Sequence, residues 1–213
     1  MTSPPVAQVE VWTDPQCIWC YITHPRLDAA IAAYGGGVEV TYRSFQLHPE
    51  APVDVDRDEH IRAQTNGMST QELDRILDHL TGLAAAEGLA HRPDLVQPTN
   101  SRLALELLAH SDTLGLRDSL TRRLTRAHFA EGRNIGHLDE LLTLAAEVGL
   151  DLASASSALT NRTHSADVDR DIANAAALGA QGVPFYVFNS TNALGGVQST
   201  DELLNALRSP QRV

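Results

Sequence analysis

Cys17 and Cys20 are the only cysteines in the chain, and two residues, Ile18 and Trp19, separate them. At a helix start this spacing brings two sulfurs close enough to form a disulfide. The first thiol then faces the unpaired amides of the first turn, and these amides and the helix dipole favour the thiolate, the nucleophile of thiol–disulfide exchange. Attack is therefore assigned to Cys17 and resolution of the mixed disulfide to Cys20. Zinc is the competing use of Cys-x-x-Cys spacing, but a tetrahedral site needs two more ligands. Neither another cysteine nor a compact His-x3–5-His pair among the nine histidines supplies them, so no metal is expected. Two buried, inert cysteines are the other reading. A second feature is Gly182-Val183-Pro184, directly ahead of the apolar run Phe185-Tyr186-Val187-Phe188. Proline is tolerated at a strand start, and a cis X-Pro bond is typical of a tight turn.

Elements must position these residues. Val6 to Trp12 reads as a strand, Thr13 to Gln16 as a turn, and Cys17 to about Tyr34 as a helix stopped by Gly35-Gly36-Gly37. Val38 to Phe45 alternates as a second strand. Between Leu47 and about Asn161 the pattern is helices and loops. Pro49 to Gly67 is irregular, Ser69 and Glu72 form a capping box, and further helices run over 99–111, 116–131 and 137–148. A helix over 163–178 then precedes the strand 185–188, a short strand at Ala193-Leu194, and a last helix capped by Ser199 and Glu202. The order β-α-β, helical insertion, α-β-β-α is that of a thioredoxin fold, of the α/β class, with an inserted all-helical domain. The expected domains are 1–48 with 162–213, and 49–161. In this fold the loop ending at Pro184 faces the cysteine pair, and the backbone of Val183 can pair with a bound polypeptide like an added strand.

Asp14-Pro15-Gln16-Cys17-Ile18-Trp19-Cys20-Tyr21-Ile22 resembles the active-site segment of the DsbA family, specifically its FrnE-like branch, whose usual motif is Cys-Pro-Trp-Cys-Tyr. Arg43-Ser44-Phe45-Gln46-Leu47 resembles that branch's second strand, and Phe129 to Ile135 its helical insertion. Gln181 to Val187 resembles its cis-proline segment and Gly195-Gly196-Val197-Gln198 the stretch after it. The resemblance covers nearly the whole chain, and it implies a thiol–disulfide oxidoreductase with a redox-active Cys17–Cys20 disulfide and no bound cofactor. Val183, Pro184 and Trp19 would then bind a thiol or disulfide polypeptide or a small-molecule thiol, with glutathione an open choice of co-substrate. Ile18 stands where the family usually has proline, and Trp19 where periplasmic DsbA has histidine. Neither supplies a cation to the Cys17 thiolate, which predicts a weaker oxidant than periplasmic DsbA. Two other functions stay open. One is a glutathione-dependent isomerase or kappa-type transferase resembling 2-hydroxychromene-2-carboxylate isomerase. The other is a non-catalytic binding helper in a biosynthetic pathway.

Other candidates are weaker. Glu10, seven residues before Cys17, is either an acid assisting proton transfer to Cys20 or an exposed strand residue. His24, four residues after Cys20 on the same helix, either lies near the site or faces solvent, the second being the expectation. Asp54, Asp56 and Asp58 alternate like a calcium loop, but Glu59 replaces the required glycine and Thr65 holds the twelfth position, so calcium is rejected. A chain of 213 residues removes roughly 70% of its unfolded surface from water and needs no disulfide scaffold. Its 16 basic residues, all arginine, against 27 acidic ones give a net charge of −11, which argues against nucleic acid. Arg122, Arg123 and Arg126 read as a solvated helix face. No stretch reaches the ~20 apolar residues of a membrane span, and Met1 to Pro5 lacks the start of a secretory signal, so a cytoplasmic location is expected. In a reducing cytosol a cysteine pair serves chemistry more often than scaffolding. Oligomeric state is left open, with a homodimer among the arrangements allowed.

Overall fold

Alternation along the first strand decides which side of the sheet meets the cysteines. The computed structural model describes residues 6–65 and 68–210. Met1 to Pro5, on which the expectation about a secretory signal rests, lies outside them. In chain order the elements are β1 (Ala7–Thr13), α1 (Ile18–Tyr34), β2 (Val38–Ser44), α2 (Arg57–Thr65), α3 (Thr70–Ala86), α4 (Arg102–Asp112) and α5 (Arg117–Glu131). They continue with α6 (Leu138–Glu147), α7 (Leu152–Thr160), α8 (Ser165–Ala177), β3 (Phe185–Phe188), β4 (Asn192–Gly195) and α9 (Thr200–Leu207). The sheet order is β2-β1-β3-β4, with β1 parallel to β2 from Ala7 opposite Val38 to Thr13 opposite Ser44. β3 runs antiparallel to both β1 and β4. This is a thioredoxin fold with a mixed sheet.

Val9 and Val11 pack with Leu27 and Ala30 of α1, Tyr42, Phe188 and Leu203 of α9. Trp12 joins a second cluster with Cys17, Cys20, Val183, Phe185 and Ala175. The cysteine pair is therefore seated in apolar packing at the end of β1, the strand paired to both β2 and β3. Burying one such large side chain contributes about 1.5–3 kcal/mol. The helix that carries the pair runs on through Pro25 and ends at Gly35, whose φ of 73° is the left-handed conformation that glycine adopts without a Cβ penalty. Both expected capping boxes form, Ser69 with Glu72 and Ser199 with Glu202.

The chain divides into two compact units, Met1–Leu47 with Val168–Val213, and His48–Asp167. The second boundary falls inside α8. Ser165, in its first turn, accepts hydrogen bonds from Arg102 of the helical unit at both its carbonyl and its hydroxyl. The helical unit buries Leu105, Leu107, Leu108, Leu120, Leu124 and Leu141. Its buried Glu106 carboxylate is held by Arg102 at 2.8 Å and Arg162 at 2.6 Å.

Two details differ from the sequence reading. The stretch 49–67 is not irregular throughout, because α2 forms within it. That helix has no apolar stripe to reveal it; Asp56 accepts the Glu59 amide at its start, and Asp58 and Glu59 occupy the first turn, where the helix dipole favours anions. Asp54 meets His137 at 2.8 Å. Helix α7, rich in Ala and Ser, is likewise marked by its cap, Asp151 accepting from the Ser154 amide. The arginines of α5 are ion-paired: Arg122 with Asp118, Arg123 with Glu131 and Glu147, and Arg126 with Glu131. Among the described residues no helix is long and apolar enough to cross a membrane.

Candidate active site

Cys17 is the N-cap of α1. Its backbone is extended, with φ −83° and ψ 108°, and its sulfur accepts the Cys20 amide at 3.3 Å. An amide of the first turn thus points at the sulfur. The same thiol donates to the Val183 carbonyl at 3.3 Å, and the Val183–Pro184 peptide is cis. The two features singled out in the sequence, 166 residues apart, therefore meet through a hydrogen bond. Both cysteines stand as free thiols and are buried, whereas Trp19 between them is 36% exposed.

Cys20 lies deeper. Burial pushes its thiol well above the ordinary value, and its contact with Cys17 adds to the rise. The Thr13 side chain and the Asp14 backbone hydrogen-bond to it and pull in the other direction. A thiol so raised is protonated at neutral pH. Cys20 lines a small pocket, with room for about one water, whose wall also includes Thr13, Thr23, His24, Tyr42, Pro184 and Tyr186. Two hydrogen-bonded pairs line it. Tyr186 donates to the Thr23 hydroxyl at 3.0 Å, and the His24 Nε2 and Tyr42 hydroxyl lie 2.7 Å apart. Burial raises the Tyr186 phenol, so it stays protonated and serves as a donor.

The loop between β1 and α1 is held by Asp14. Its buried carboxylate accepts the Gln16 amide at 2.9 Å and the Leu47 amide at 2.8 Å, and its carbonyl accepts the Cys17 amide. Behind the pair, the Trp12 indole donates to the Asp171 carbonyl at 2.9 Å and packs edge-on against Phe185. The Asp171 carboxylate accepts the Ser44 amide at 2.9 Å, which ties α8 to the end of β2.

Glu10 is placed away from a proton-transfer role. Its carboxylate takes two hydrogen bonds from the Arg43 guanidinium, at 2.7 and 3.0 Å, and it lines a separate polar pocket with Gln8, Glu39 and Thr41 that contains no cysteine. The geometric reason is its position in β1 opposite Thr41, where Arg43 of the neighbouring strand reaches it diagonally. His24 departs from the expected solvent-facing placement, being half-buried against Tyr42. Sequence reasoning missed Thr13, Asp14 as a clamp, and Tyr42. The signals available were the last residue of the strand, the acid opening the turn, and an aromatic on the inward phase of β2.

With this geometry in place, comparison with known proteins is specific. The family model described as DSBA-like thioredoxin domain matches residues 8–208, and the chain belongs to that family. It is an oxidoreductase of this class. Among solved structures it is similar to a probable DsbA oxidoreductase from Streptomyces coelicolor, 31% identical over 97% of this chain and 93% of the other, with a TM-score of 0.90. It is also similar to the cytosolic disulfide reductase DsbM from Pseudomonas aeruginosa, solved with GSH, 25% identical over 92% of each chain with a TM-score of 0.66. A curated relative, the uncharacterized protein YwbO from Bacillus subtilis, is 28% identical over 96% of this chain and 97% of its own.

Proposed function

We propose that this protein is a cytoplasmic thiol–disulfide oxidoreductase of the FrnE-like branch in which Cys17 attacks and Cys20 resolves. The observation that carries the reading is the Cys17 sulfur at the N-cap of α1, bonded at once to the Cys20 amide and the Val183 carbonyl. In the reducing direction the Cys17 thiolate attacks a substrate disulfide. One substrate sulfur leaves as a thiolate and takes a proton, and a mixed disulfide remains on Cys17. The Cys20 thiolate then attacks the Cys17 sulfur, the Cys17–Cys20 bond forms, and the second substrate thiolate departs. The substrate gains two electrons and the cysteine pair loses them; the reverse sequence donates a disulfide.

Val183 and Pro184 border the reacting sulfur and would position an extended substrate backbone, with Trp19 offering an apolar platform beside it. The substrate class is a thiol or disulfide polypeptide or a small-molecule thiol. Glutathione is the natural co-substrate to test, since the similar disulfide reductase DsbM was solved with GSH. A complete cysteine pair, both members engaged in the site, favours redox exchange over isomerase chemistry performed by a bound thiol. The test is paired: insulin reduction and reactivation of a scrambled disulfide protein, each with wild type and Cys17→Ser. Wild-type activity well above the variant's is expected. Equal activity would overturn the reading.

A further inference from the structure

The resolving step poses a problem of proton removal. Cys20 is 5% exposed and its thiol is pushed up by burial, so the proton it must lose before attack has little direct access to bulk solvent. The nearby carboxylates are engaged elsewhere: Asp14 with the Gln16 and Leu47 amides, Asp171 with the Ser44 amide, and Glu10 with Arg43. The pocket at the Cys20 sulfur is different. Thr13, Thr23, His24 and Tyr42 are among the residues of its mainly apolar wall, and its narrow interior has room for about one water. Of the titratable side chains lining it, Tyr186 donates to Thr23, and His24 and Tyr42 meet each other at 2.7 Å. Imidazole is the side chain suited to take up a proton near neutral pH.

We propose that this pocket is the proton exit of the resolving step: Thr13 and the Asp14 backbone hold the Cys20 thiolate while a bound water passes its proton to the Tyr42–His24 pair. The inference rests on Cys20 being the resolving cysteine, as proposed above. In the His24 tautomer whose Nε2 accepts the Tyr42 hydroxyl, the proton count closes. The Cys20 thiol gives its proton to the water, the water gives one to the Tyr42 oxygen, and the Tyr42 proton moves to His24 Nε2. The thiolate attacks Cys17, the Cys17–Cys20 bond forms, the bond from Cys17 to the substrate sulfur breaks, and the electron pair leaves with the substrate thiolate. His24 then returns its proton to solvent. Thr13 touches the reacting sulfur; His24 acts through Tyr42 and the water.

Stopped-flow reaction of the reduced protein with 5,5′-dithiobis(2-nitrobenzoate) separates the two steps. Attack by Cys17 releases one thionitrobenzoate, and resolution by Cys20 releases the second. His24→Ala is expected to slow the second release on the order of 10- to 100-fold, leave the first unchanged, and recover the second in proportion to added imidazole. Tyr42→Phe, which keeps the ring, is expected to slow the second release selectively and guards against a folding defect in the first variant. A second release at the wild-type rate in both variants overturns the proposal. So does equal slowing of both releases, or selective slowing in His24→Ala that imidazole leaves untouched. A first release that survives Cys17→Ser would instead overturn the assignment of Cys17 as the attacking thiol.

Discussion

His128 gives the helical unit a calculable sensitivity to acid. It lies on the inner face of α5, 3% exposed, with its ring 4.7 Å from that of Phe129. Its Nδ1 is buried with no hydrogen-bond partner among the described residues. Burial lowers its pKa from 6.5 to about 4, and the neighbouring His91 opposes its protonation further. The folded-state value is thus below the unfolded one. Above pH 6.5 the residue is neutral in both states and its linkage contribution is fully present. As the pH falls from 6.5 toward 4 the unfolded chain takes up the proton and the folded chain does not, so stability is lost across that window. At 1.36 kcal/mol per pKa unit the complete loss is about 3 kcal/mol. His128→Leu, close in volume and unable to titrate, removes it. Urea unfolding followed by far-UV circular dichroism at pH 7.5 and pH 4 should show the variant losing about 3 kcal/mol less than wild type between the two conditions. His60 and His110, also lowered by burial and not acting on His128, contribute equally to both proteins and cancel in the difference. Parallel losses in the two proteins would refute the reasoning, since a solvated His128 would titrate alike folded and unfolded.

Two further outcomes follow from the cysteine site. Asp14→Ala removes the acceptor of the Gln16 and Leu47 amides and is expected to lower stability by about 3 kcal/mol in urea unfolding, with Asp14→Asn losing less because one oxygen remains. An unchanged midpoint for the alanine variant would show that the clamp contributes nothing. Trp19→His places an imidazole that can carry charge beside the thiolate at the start of α1 and is expected to raise the reduction potential, by roughly 30 mV for each pKa unit of thiolate stabilisation. Titration against glutathione measures this, and an unchanged or lower potential would contradict it.

What was legible in the sequence, and what was not, divides along the range of the interactions. Cys17 and Cys20 were readable because a strand, a turn and a helix start are local patterns, and the chemistry of an N-cap thiol is fixed by the first turn that it caps. Val183-Pro184 was readable for the same reason: a proline at the head of an apolar strand is a local signal, and the strand order then sets it opposite the pair. The same locality explains the capping boxes at Ser69 and Ser199, and the failure at α2, whose polar sequence has no apolar period to detect.

The alternatives at Glu10 and the expected placement of His24 could not be decided from the sequence, because their surroundings come from the partner strand β2. A strand period tells which residues share a face, but it does not say that Arg43 will reach Glu10 or that Tyr42 will meet His24. Both answers lie in the parallel register of β1 with β2, in which Glu10 stands opposite Thr41 and Val11 opposite Tyr42. A single-residue slip would exchange the faces of that strand, taking Tyr42 from the pocket and Arg43 from the acid. The clamp from Asp14 to Leu47 joins the end of β1 to the segment after β2. The register that closes the core thus also decides which side chains stand beside Cys20, and Asp14, by holding β1 and β2 in step at that end, is coupled to the chemistry without touching a sulfur through its carboxylate.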